Sequence, residues 1–77
     1  MQHVLGIVTI VQEGRFRLAT PDGRSLHFVL AHQAKTAAQD IADLCARMAP
    51  VRVAFDTIQG RSNLVAHQVC EPGVHSL

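Results

Sequence analysis

Seventy-seven residues, 48% of them hydrophobic and 17% charged, exclude a disordered tail and leave room for one domain with a thin core. No apolar run approaches the roughly 18 residues of a membrane span. Seven basic against six acidic side chains give a formal net charge of +1, without the strong basic footprint of a dedicated nucleic-acid or anionic-lipid binder.

Residues 4–11 are almost continuously apolar and β-branched, as in a strand covered on both faces. Gly6 interrupts the run and predicts a bend or bulge there. Glu13 and Gly14 offer the turn into a second strand. Thr20, Pro21, Asp22 and Gly23 then read as a type I turn, with proline fixing φ and glycine supplying the left-handed residue. That turn pairs Thr20 with Arg24. Counting outward opposes Leu18 with Leu26 and Phe16 with Phe28 on the inner face, and Arg17 with His27 and Arg15 with Val29 on the outer face. A slip of one residue would mix Phe and Leu with Arg and His, so turn chemistry and side-chain pattern specify one register.

A helix is predicted over 37–48. Thr36 and Gln39 stand at capping-box spacing, and Ala34, Ala37, Ile41, Leu44 and Met48 form the apolar stripe. Pro50 stops it. Val51, Val53 and Phe55 alternate with Arg52, Ala54 and Asp56 in a fourth strand, residues 59–63 form a polar loop, and 64–69 form a fifth strand. Only one apolar set of that last strand can face inward. Residues 71–77 are a short tail expected to fray.

The order β1-β2-β3-α-β4-β5 over residues 3–70 resembles the OB-fold, a mainly β, five-stranded barrel capped by one helix. An SH3-like barrel would not carry a three-turn helix between its third and fourth strands. The resemblance implies a ligand face on strands two and three, flanked by the loops after strands one and four.

Arg15, Arg17, Arg24 and His27 lie on or beside that face, and Arg61 in the 59–63 loop joins them as candidate ligand-binding residues. Guanidinium groups on a strand pair suit phosphate contacts, which makes a weak, sequence-tolerant single-stranded nucleic-acid binder one expectation. Against it, the only aromatics are Phe16, Phe28 and Phe55, and all three are assigned inward, so no ring remains for base stacking.

The excess of aliphatic residues carries the preferred expectation. A barrel has one inside, so Ile7 in the first strand, Val29 in the third and Val65 in the fifth are candidates for an oligomer or protein-partner interface. His67 with Cys70, Cys70 with His75, and His27 with His67 never assemble the three or four ligands a metal needs, so no metal or other cofactor is expected. No nucleophile has a nearby base, Ser25 and Ser62 lie in or beside turns, and Asp40 and Asp43 sit on the solvated side of the helix, so no enzymatic activity is expected. Without a secretory leader pattern at Met1, Gln2 and His3, the expected location is cytoplasmic, with Cys45 and Cys70 as reduced thiols.

Overall fold

A computed structural model describes residues 1–57 and 64–72. Five strands, β1 (Gln2–Gln12), β2 (Arg15–Ala19), β3 (Ser25–Leu30), β4 (Pro50–Thr57) and β5 (Leu64–Cys70), close into a barrel in the order β1-β2-β3-β5-β4. All pairings are antiparallel except β3 with β5. One helix, α1 (Ala38–Ala46), sits between β3 and β4, an arrangement compatible with an OB-like fold.

The β2–β3 register is the one the turn chemistry dictates: Phe16 opposite Phe28, Arg17 opposite His27, Leu18 opposite Leu26. The amide of Thr20 donates to the carbonyl of Arg24 (2.9 Å), that of Gly23 to the carbonyl of Thr20 (3.0 Å), and Gly23 takes φ +89°. At the β1–β2 turn both Glu13 and Gly14 have positive φ, the mark of a primed two-residue hairpin whose twist matches its strands.

β1 serves two neighbours, pairing with β4 along its first half and with β2 along its second. Val4, Gly6 and Val8 face inward; the ladder then shifts between Val8 and Ile10, and Val11 faces the core from the opposite phase. The bulge therefore falls at Thr9, not at the glycine. Gly6 has a different task, since a Cβ there would lie 2.5 Å from the carbonyl oxygen of Ala19 and 2.8 Å from Cγ of Leu18. Its missing side chain lets β2 press against β1.

A second shift corrects the expectation for β5. Ala54 pairs with Gln68 while Phe55 pairs with Ala66, so the ladder skips His67 and both Ala66 and Val69 are buried. A bulge turns two apolar sets inward where unbroken alternation allows one. In the core, Phe16 stacks on Phe28 at 5.0 Å between centroids, and Phe55 meets Phe28 edge-on at 5.4 Å.

The helix is shorter than its periodicity suggests. Its N-cap is Ala37, in extended conformation with no side-chain cap. Thr36 is buried and its hydroxyl is used elsewhere: it accepts from the Val69 amide (2.8 Å) and donates to the Val69 carbonyl (3.1 Å). At the other end Met48 adopts φ +52°, its amide bonds the Cys45 carbonyl and the Ala49 amide bonds the Leu44 carbonyl. That Schellman pattern reverses the chain and leaves Met48 exposed, outside the stripe that Ile41 and Leu44 bury. Arg47 ties the helix end to the barrel, with Nε on Asp43 (3.0 Å) and Nη2 on Glu71 (2.7 Å). These carboxylates, Glu71 foremost, raise the pKa of the guanidinium. Glu71, the first residue of the expected tail, meets Arg47 in this way, and 73–77 lie outside the described residues.

Thr36→Val keeps the shape and deletes the hydroxyl, leaving the amide and carbonyl of Val69 buried without this partner. A loss of about 2 kcal/mol is expected in urea unfolding, with Thr36→Ser within about 1 kcal/mol of the parent. A loss equal for Val and Ser would assign the effect to packing instead.

Candidate functional site

The outer surface of β2 and β3 gathers three of the predicted ligand residues. Arg15, Arg17 and His27, with Ile10, Gln12 and Val29, line a concavity of 310 Å³. Hairpin register puts Arg17 beside His27 and Arg15 beside Val29, and the Thr9 bulge brings β1 close enough for Arg17 Nε to donate to Thr9 Oγ1 at 3.3 Å. Neither arginine pairs with a carboxylate among the described residues. Phe16 and Phe28 lie behind the floor but are only 4% and 1% exposed, so no ring is presented for stacking.

Arg24 does not join this group. It lies past the end of the β2–β3 ladder and is held by Asp22, Nε to Oδ2 at 2.9 Å. Thr20 organises the pair: its hydroxyl donates to the Asp22 carboxylate and accepts from the Arg24 amide at 3.1 Å. The Thr20 hydroxyl foremost, helped by the Arg24 guanidinium, holds the Asp22 carboxyl below its usual range against the opposing effect of desolvation. Arg61 lies outside the described residues.

The aliphatic candidates separate as well. Val29 and Val65 are cross-strand partners on β3 and β5, both half-buried, with Arg15 and Asp56 beyond them in the same row. Asp56 accepts from His67 Nε2 at 2.9 Å. Ile7 belongs to a different surface, on β1 between β2 and β4.

That surface is the more developed of the two. Leu5 and Ile7 point outward on either side of the inward Gly6, and Leu5 is 47% exposed. Ala19 and Pro21 wall the stripe on one side, Pro50 and Pro72 on the other, enclosing a 470 Å³ groove whose lining is almost wholly apolar. Beyond Leu5 the groove opens into a 640 Å³ cleft whose polar lining is His3, Arg52 and the paired Asp22 and Arg24; Leu5, Thr20 and Pro21 border both. Leu5 and Pro21 were missed in the sequence because nothing local marks Leu5 from Ile7, and Pro21 is fully accounted for by its turn. Pro50 and Pro72 reach the groove only through barrel closure.

Among the described residues no three His, Cys, Asp or Glu side chains converge as metal ligands, and no helix is long and apolar enough to cross a membrane. No protein-family model matches the chain, and comparisons with curated proteins and with solved structures found no significant match.

Proposed function

We propose that this protein is a non-catalytic interaction module that docks protein surface, from a second copy or a different chain, on the outer aliphatic stripe of β1. The observation that carries this reading is the proline-walled groove around Leu5 and Ile7. Exposed aliphatics scattered singly need no explanation, but exposed Leu5 beside half-buried Ile7 on one strand face, within an apolar concavity, forms a patch. A small domain with a thin core also gains stability by covering such a patch. The test compares the parent with Leu5→Glu plus Ile7→Glu by light scattering at micromolar to millimolar concentration and by selection of binders from a random peptide display library. Association or peptide capture is expected in the parent and is expected to weaken at least about tenfold in the double variant. A parent that stays monomeric and selects no peptide through these two residues would remove the reading.

One observation favours a second reading, weak binding of single-stranded nucleic acid: both guanidinium groups of the β2–β3 concavity lack a carboxylate partner among the described residues. With no ring to stack, such binding is electrostatic, tolerant of sequence and steep in salt. Arg15→Ala plus Arg17→Ala is expected to reduce the log–log salt slope by up to about 1.4, near 0.7 per lost contact, in fluorescence anisotropy with a labelled oligothymidine. The fold should tolerate each change within about 0.5 kcal/mol. An unchanged slope, or no binding at low salt, would dismiss nucleic acid.

A further inference from the structure

We infer that the groove along β1 takes a short extended peptide segment from a different chain, aliphatic at one end and acidic at the other, with Arg52 reading the acid. This rests on the interaction-module reading and names its partner's chemistry.

The groove has a direction. Along β1 the outward residues run Ile7, Leu5, His3, and their cross-strand partners on β4 run Pro50, Arg52, Ala54. Apolar surface at Ile7 and Pro50 therefore gives way to cationic surface at Arg52 within one step of the pleat, about 7 Å. Of the two arginines in the cleft, Arg24 is occupied by Asp22, which neutralises it. Arg52 is exposed and has no carboxylate within ion-pair distance among the described residues. An aliphatic side chain seated over Leu5 and Ile7 brings a carboxylate two residues further along the same face of an extended segment to the guanidinium of Arg52. Charge complementarity selects an acid there, and the fork of the guanidinium suits a carboxylate.

The same polarity argues against a second copy. A two-fold contact is self-complementary: β1 laid antiparallel on β1 places the Arg52 end of each groove on the Ile7 and Pro50 end of the other, and β1 laid parallel places Arg52 on Arg52. Two cations would then lie under apolar surface or against each other, with the one carboxylate lining the cleft, Asp22, already paired to Arg24, which is costly. An acidic partner segment carries no such conflict.

The experiment is selection of random 12-residue peptides on the full chain, with binders counter-screened on Leu5→Glu plus Ile7→Glu. The expected result is enrichment of peptides with an aliphatic residue and an Asp or Glu within a few positions of it, consistently on one side. Replacing that acid by its amide in a selected peptide should weaken binding about threefold, and Arg52→Glu about tenfold, both effects shrinking with salt. Repeating the selection on Arg52→Glu should turn the preference to Lys or Arg. The peptide-side change needs no altered protein, so a misfolded variant cannot decide the outcome. Groove-dependent peptides with no acidic preference would overturn this inference and leave the module reading in place, as would self-association through Leu5 and Ile7 without peptide capture. Absence of both would overturn the two together.

Discussion

Phe28→Ala is expected to cost about 4 kcal/mol, the largest loss of any single truncation in this chain. Phe28 is 1% exposed and is the ring that both other aromatics touch, stacked with Phe16 and edge-on to Phe55. Truncation removes its burial, opens a cavity between two rings that cannot both move into it, and ends both aromatic pairs, each worth about 0.5–1.5 kcal/mol beyond area. A domain of this size holds only about 4–12 kcal/mol in total. The melting midpoint should therefore fall by about 20 °C or more, read by circular dichroism. The neighbouring exposed His27→Ala, with nothing buried to lose, should stay within about 0.5 kcal/mol. A midpoint shift for Phe28→Ala no larger than that of His27→Ala would show that the ring trio is not the centre of the core.

Gly6→Ala carries the second-largest expected effect, a loss of about 3 kcal/mol. Elsewhere in a strand the change would be neutral or helpful, because alanine restricts the unfolded chain by about 0.4–1 kcal/mol. Here the added methyl meets the Ala19 carbonyl oxygen at 2.5 Å and Leu18 Cγ at 2.8 Å. The first contact is backbone in a paired strand, and Leu18 is fully buried, so neither can give way alone. The β1–β2 pair must spread. Urea unfolding checks the magnitude, and a gain in stability from Gly6→Ala would contradict the close approach of the two strands.

The β2–β3 hairpin was fully legible in the sequence because two independent signals, the Thr20–Pro21–Asp22–Gly23 turn and the alternation around Phe16 and Phe28, name one register. The bulges were not. A bulge writes only a change of phase, and around Thr9 both phases hold an aliphatic: Val8 and Ile10 in one, Ile7 and Val11 in the other. At His67 the pattern Leu64, Ala66, Val69 reads as broken alternation, which either a bulge or a half-polar strand would produce. Thr36 misled for a different reason. Its hydroxyl has the spacing of a cap, but a strand end 33 residues later competes for it and wins. The Arg15, Arg17 and His27 cluster followed from hairpin register alone. The β1 groove did not, because its prolines come from three separate segments and its open cation, Arg52, differs from Arg24 only in lacking an aspartate two residues away.

The Thr36 contact also divides the molecule into levels of opening. Ile41 and Leu44 sit in the barrel core, and the segment leading into α1 is fastened to β5 by the Thr36 hydroxyl and by main-chain bonds from Ala31 and Lys35. The Ala31 bond ends the β3–β5 ladder, and only those of Lys35 and Thr36 lie outside the ladders that close the barrel. The helix and its lead-in from Lys35 onward can therefore lift away while every strand pair stays joined, a sub-global excursion less costly than unfolding. The Val69 amide is the marker of that event. It is capped by a side chain from the lifting segment, so its hydrogen exchange follows helix detachment, whereas ladder amides wait for the barrel itself to open.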